Sequence, residues 1–155
     1  MSSSLTVKNL AIAGLIGELS FEAYAWLVSP LIFGVTLEPA KLVTGLTKMA
    51  TGVLLPYWGA FAIHFLIGAF GFAIFVALTH LVTRTKLIWS GVIAGVVLWF
   101  IAQGILAPVL GREFMMGFGS YTQSSFVGHV GMSALIAFVL VKLHAAMPRT
   151  AALQS

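Results

Sequence analysis

Four long apolar stretches, separated by links that carry most of the charged residues, dominate the chain. They cover residues 10–33, 58–82, 87–110 and 126–143. Each approaches or exceeds the ~20 residues with which an α-helix crosses the hydrocarbon core of a bilayer. The pattern predicts an all-α, polytopic membrane protein whose four transmembrane helices form a bundle. Because the four stretches use most of the sequence, we expect a single domain over residues 1–155.

The link between the first and second stretches has a periodicity of its own. Apolar residues recur in it at helical spacing, at Leu42, Val43, Leu46, Met49, Ala50 and Val53. Lysines and threonines fill the opposite face, and Pro39 suits a first helical turn. We expect an amphipathic helix over about 39–54 that lies in the outer membrane interface or packs over the mouth of the bundle.

The composition excludes a water-soluble protein. Hydrophobic residues make up 60% of the chain and charged residues 8%, with a mean hydropathy of +1.07, whereas a soluble domain carries about 25% charged residues. The chain has no Cys and no Asp, which excludes disulfides, cysteine-bound iron–sulfur clusters and the Ser-His-Asp triad. The sequence therefore favours a protein that is not an enzyme.

The basic residues predict the orientation in the membrane. With four spans, both termini lie on one side, together with Lys8, Arg84, Lys86, Lys142 and Arg149. The opposite side holds Lys41, Lys48 and Arg112. Since cytoplasmic loops carry the excess of Lys and Arg, we expect cytoplasmic termini in a bacterial inner membrane. The net charge of +4 suits lipid headgroups, so the bilayer, and not a nucleic acid, is the expected partner.

Polar residues inside the spans are candidates for function because they are costly there. His64 and His129 each lie about six residues inside the outer end of their stretch, so we expect them at similar depth. Two histidines at one depth on different helices are what a haem b requires as axial ligands. The alternatives are a hydrogen bond from each His to a neighbouring helix and a role in proton transfer. Gln103 is expected to form an interhelical hydrogen bond.

Glu18 and Glu22 are four residues apart and therefore share one face of the first helix. Two carboxylates so close in a low dielectric do not both ionise easily unless a cation or a basic partner is near. If the first helix breaks at Ser29-Pro30, Glu22 approaches the depth of the two histidines. Glu22, His64 and His129 are then candidate ligands of a divalent metal ion. The alternative is a protonated Glu that forms a hydrogen bond to a neighbour.

A set of short motifs resembles one known group of proteins. The motifs are FEAYAW at 21–26, FAIHF at 61–65, LWF at 98–100, AP at 107–108 and SFVGH at 125–129. Together they resemble small four-span bacterial inner-membrane proteins of unknown function, the YagU-like group, over about residues 10–143. The resemblance implies a compact helical membrane protein with no settled activity.

The group's pattern of His-Phe in the second span and Gly-His in the fourth is matched by His64-Phe65 and Gly128-His129. Glu18 and Glu22 are not part of that pattern, so a function built on them does not follow from the resemblance.

These observations leave three functions open. The first is a small non-enzymatic integral membrane protein, acting as an accessory or assembly subunit of other membrane proteins or as a homo-oligomer. The second is a redox or metal-binding membrane protein that uses His64 and His129 to hold haem b or a divalent metal. The third is a proton-coupled carrier or channel that uses Glu18 and Glu22.

Overall fold

The computed structural model describes residues 5–145, and no strand occurs within them. Five helices are numbered in chain order: α1 (Val7–Phe33), α2 (Ala40–Thr51), α3 (Tyr57–Thr83), α4 (Leu87–Val109) and α5 (Ser120–Ala145). Of these, α1, α3, α4 and α5 have 23 to 27 residues and are long and apolar enough to cross a membrane. The prediction of an all-α chain with four such helices is confirmed. Arg149, used in the argument on orientation, lies outside the described residues.

Helix α5 begins at Ser120, before the fourth apolar stretch. Its first turns carry the buried hydroxyl residues Thr122, Ser124 and Ser125. The hydroxyl oxygen of Ser124 lies 2.6 Å from that of Ser29 on α1. Hydropathy does not mark this helix start because the polar side chains are turned inward and bonded to neighbouring groups.

Helix α1 does not break at Ser29-Pro30. A π-helical turn over Tyr24–Val28 leads into Pro30, and the helix then continues. Proline lacks an N–H group, and the wider turn accommodates the missing hydrogen bond. Helices α3 and α4 contain similar turns at Ile67–Phe72 and Ile101–Leu106. Single π turns of this kind occur frequently at functional sites.

The four long helices contact one another through small residues. Helix α5 packs against α1 and α4, and α3 packs against the same two helices. A Cβ atom at Gly95 of α4 would lie 2.6 Å from the Cα atom of Val130 of α5. A Cβ atom at Gly14 of α1 would overlap the backbone carbonyl of Ala69 in α3. Glycine therefore sets how closely these helices approach.

Apolar side chains lie both between the long helices and on their outer faces. Val76, Ile136 and Leu140 are fully buried. Leu31 and Val82 are 86% and 81% exposed, with many other large apolar side chains beside them on the surface. A surface of this kind is suited to contact with acyl chains.

Helix α2 packs its apolar face against the beginning of α3. Ala40 and Val43 are buried and form a small core with Ala60 of α3. Lys41 on the opposite face forms an ion pair with Glu38. The link between α1 and α3 therefore contains a helix with one apolar face, which covers the beginning of α3, while its place in a membrane interface stays a prediction.

Candidate functional site

Glu18 and Glu22 of α1 and His64 of α3 form one group, which we name the Glu–His cluster. The Nδ1 atom of His64 lies 3.4 Å from Oε1 of Glu18 and 3.7 Å from Oε1 of Glu22. One ligand atom from each residue lies within 4.8 Å of the other two. The side chain of Glu18 is fully buried, and those of Glu22 and His64 are 13% and 17% exposed. Three titratable groups thus share one site inside the protein.

Helix geometry and one glycine create this arrangement. The spacing of four residues places Glu18 and Glu22 one above the other on α1. Gly68 lies one turn after His64 on α3, and a Cβ atom there would overlap the carboxylate of Glu18. The missing side chain lets a buried carboxylate lie directly against the backbone of α3.

The cluster holds four buried atoms without a hydrogen-bond partner among residues 5–145. They are both carboxylate oxygens of Glu18, Oε1 of Glu22 and Nδ1 of His64. The second oxygen of Glu22 accepts a hydrogen bond of 3.0 Å from Nε1 of Trp26. An unsatisfied buried polar group costs about 1–3 kcal/mol, and a charged one costs more. The site therefore requires a cation or bound protons to become stable.

The donor set suits a divalent metal ion. Carboxylate oxygen and imidazole nitrogen are common ligands of zinc and of other first-row divalent ions. An ion with bond lengths near 2.1 Å and tetrahedral angles keeps its ligand atoms about 3.4 Å apart. The separations of 3.4 and 3.7 Å between Nδ1 of His64 and the two glutamate oxygens are close to that value. Three ligands would leave a position free for water or for a further molecule.

Gln103 of α4 with Ser125 and His129 of α5 forms a second group, which we name the Gln–His cluster. Nε2 of Gln103 donates to the hydroxyl oxygen of Ser125 at 3.1 Å, which is the interhelical hydrogen bond expected for this glutamine. Nδ1 of His129 lies 2.8 Å from the backbone oxygen of Ser125. Because a carbonyl oxygen can only accept, Nδ1 of His129 carries the proton and Nε2 is left as an acceptor.

Phe21 of α1 lies against both imidazole rings. Its ring centroid is 6.0 Å from that of His64 and 6.2 Å from that of His129. The structure thus brings Glu22 and His64 together with Glu18, and it places His129 with the glutamine and serine of the other cluster. The role of the two histidines as haem ligands stays a prediction.

A cavity of about 270 Å³ borders both clusters. Its polar lining comes from His64, Gln103, Arg112, Tyr121, Ser125 and His129. Helix α2 contributes Leu42, Val43 and Leu46 to the apolar part of the wall. Helix α2 therefore closes one side of a space between the long helices.

Sequence reasoning missed the role of two residues at the Glu–His cluster. Trp26 follows Glu22 by four residues, a spacing that places both side chains on one helical face and could have indicated their hydrogen bond. Gly68 follows His64 by four residues in the sequence, but its contact with Glu18 depends on how α1 and α3 are aligned. No signal within either helix alone carries that information.

Comparison with family models, with curated proteins and with solved structures finds no match for this chain. The resemblance to the YagU-like group, with what it implies, therefore stays a prediction.

Proposed function

We propose that this protein binds a divalent transition-metal ion inside the membrane, through Glu18, Glu22 and His64. The observation that carries the proposal is that four buried ligand atoms of the Glu–His cluster have no hydrogen-bond partner among residues 5–145. We further propose that the four long helices form a transmembrane bundle of a bacterial inner membrane, with cytoplasmic termini and with α2 in the outer interface.

Charge balance favours a divalent ion. Two ionised carboxylates carry two negative charges, and no Lys or Arg among residues 5–145 forms an ion pair with either of them. A divalent cation with a neutral His64 brings the net charge of the site to zero. In a low dielectric, a site without net charge is far less costly than a site with one.

The ligand types favour a first-row transition metal over Mg²⁺ or Ca²⁺. Magnesium and calcium prefer sites built from oxygen ligands only. An imidazole nitrogen shifts the preference towards Zn²⁺, Fe²⁺ and related ions, while the carboxylates keep Mn²⁺ among the candidates. The proposed cargo or cofactor is therefore an ion of this class.

Metal titration of the purified full chain tests the proposal. The protein is reconstituted in lipid nanodiscs, treated with chelator and titrated with Zn²⁺, or with Co²⁺ as a spectroscopic probe. We expect saturable binding of one ion per chain, with an affinity at least about 100-fold weaker in Glu18→Gln, because loss of a residue that merely orients a ligand already costs roughly 10–100-fold. Glu38→Gln is the matched control, since Glu38 pairs with Lys41 outside the spanning helices.

Two results would overturn the proposal. One is a wild-type protein that takes up no ion in a saturable manner, which would favour carboxylates that hold protons. The other is an unchanged affinity in Glu18→Gln. If that variant does not fold, His64→Gln provides the same test, with His144→Gln as its control.

An accessory or assembly role remains compatible with a metal site. We propose that such a role, if present, uses the outer apolar faces of the long helices, where side chains such as Leu31 and Val82 are exposed. Crosslinking in native membranes followed by mass spectrometry measures whether the chain contacts itself or another subunit.

A further inference from the structure

The cavity beside the two clusters has an apolar wall and a small number of hydrogen-bonding groups. Apolar side chains come from α1, α2, α3 and α4, including Phe21, Leu46, Phe72, Ile101 and Leu106. Its volume of about 270 Å³ lies just below the ~300–1,000 Å³ of pockets that hold drug-sized ligands. A fitting molecule is therefore small and mainly hydrocarbon.

The Gln–His cluster has two acceptor atoms without a protein partner among residues 5–145. Gln103 lines the cavity and is 7% exposed, and its Oε1 atom has no partner among residues 5–145. Its Nε2 atom already donates to Ser125. His129 also lines the cavity, and the proton on its Nδ1 atom is directed to the backbone oxygen of Ser125. The acceptors left without a partner among residues 5–145 are Oε1 of Gln103 and Nε2 of His129, while the second N–H of the Gln103 amide remains as a donor.

Acceptors without a partner in an apolar space favour a ligand that carries a hydrogen-bond donor. We propose that this cavity binds a small, neutral, lipid-soluble alcohol or phenol, whose hydroxyl group donates to Gln103 or His129. The hydrocarbon body of the ligand packs against the apolar wall that α2 and α4 form. The site goes beyond the proposed metal function and does not require the metal, because neither acceptor belongs to the Glu–His cluster.

Arg112 makes an anionic ligand the main alternative to a neutral alcohol or phenol in this cavity. Its side chain lines the cavity and is partly exposed, and it forms no ion pair within residues 5–145. An anionic ligand would use this guanidinium group, whereas an alcohol or phenol would use the buried acceptors. A neutral ligand is favoured because Oε1 of Gln103 has no other source of a hydrogen bond among the described residues.

Binding of three matched probes tests the proposal. Tritiated 1-naphthol, 1-methoxynaphthalene and 1-naphthoate are compared by equilibrium dialysis against the full chain in nanodiscs, with empty nanodiscs as the partition control. 1-Naphthol has the donor, 1-methoxynaphthalene lacks it, and 1-naphthoate carries the negative charge. We expect saturable binding of 1-naphthol, about tenfold tighter than 1-methoxynaphthalene, as one hydrogen bond to a buried group predicts.

Variants of α4 and α5 locate the binding. Gln103→Leu combined with His129→Leu is expected to remove the preference for the hydroxyl group. Leu106→Trp fills the cavity and is expected to abolish saturable binding, whereas Ile105→Trp is the control, because Ile105 is 46% exposed on the outer face of α4. Helical circular dichroism and Zn²⁺ binding check that each variant is folded, and Ala102→Leu replaces Leu106→Trp if the latter is not.

Four results would overturn the proposal. They are equal binding of 1-naphthol and 1-methoxynaphthalene, uptake no greater than that of empty nanodiscs, and unchanged binding in the cavity-filling variant. The fourth is tighter binding of 1-naphthoate that is lost in Arg112→Gln. A failure of this kind leaves Zn²⁺ binding untouched, so it is distinguishable from a failure of the metal site.

Discussion

The two polar clusters between the long helices differ in how their hydrogen bonds are satisfied. In the Gln–His cluster, His129 is bonded to the backbone of its own helix, and Gln103 is bonded to Ser125 on the next helix. In the Glu–His cluster, four buried atoms have no partner among residues 5–145. Both clusters contact the ring of Phe21 through their histidines. Similar residues at similar positions thus produce one site whose hydrogen bonds are nearly complete and one whose buried atoms need a cation or bound protons.

The two clusters are expected to contribute differently to the stability of the fold and to ligand binding. A satisfied polar cluster between helices supports folding, and only its leftover acceptors are available to a ligand. An unsatisfied cluster of charged groups costs stability in the absence of its ligand and recovers that cost on binding. Substitutions should therefore have opposite effects on folding at the two sites.

The largest effect is expected for Gly68→Ala. The added Cβ atom would overlap the carboxylate of Glu18, so either the carboxylate moves away from His64 or α1 and α3 separate. We expect Zn²⁺ affinity to fall about 100-fold, as a displaced ligand predicts, by titration in nanodiscs. Gly71→Ala on the same helix is the control, because its added Cβ atom would lie 3.6 Å from the side chain of Ile67, in ordinary contact. Equal affinities of the two variants would show that Glu18 does not bind the ion.

A smaller effect of opposite sign is expected for Glu18→Met in the metal-free protein. Methionine has a similar length, and it removes a buried carboxylate whose oxygens have no partner among residues 5–145. We expect the free energy of unfolding to rise by about 1–3 kcal/mol, by denaturation in detergent micelles with chelator present. Glu113→Met, at an exposed position, should change stability by less than about 0.5 kcal/mol. A destabilised Glu18→Met would indicate that Glu18 is already satisfied by a proton.

The sequence was sufficient to predict the long helices, but it did not predict which polar residues of different helices lie together in each cluster. The length of the apolar stretches predicted four helices, and the spacing of Glu18 and Glu22 predicted a shared face. The sequence predicted His129 as the third metal ligand beside Glu22 and His64. The structure instead places Glu18 next to these two residues. That outcome depends on the alignment of α1 with α3 at Gly68, which neither helix encodes alone.

Two further features depended on contacts between helices. Hydropathy placed the start of the fourth span at 126, whereas α5 begins at Ser120 because the hydroxyl groups of its first turns find partners inside the protein. The cavity exists because the leucines of α2 lie across the space beside α4. The spacing of apolar residues in the sequence predicts helix α2, but it does not predict which surface the helix covers.

The smallest effect is expected for Ser125→Ala in the Gln–His cluster. The change removes the hydroxyl group that accepts from Gln103, which leaves a buried amide without its partner. We expect a loss of about 1 kcal/mol in the free energy of unfolding, with Zn²⁺ affinity unchanged. Ser20→Ala is the control, because Ser20 is exposed and its hydroxyl group, within residues 5–145, donates to the carbonyl of Ile16 on its own helix. If Ser125→Ala instead lowers Zn²⁺ affinity as strongly as Gly68→Ala, the two clusters act as one site, and the contrast between a satisfied and an unsatisfied cluster is wrong.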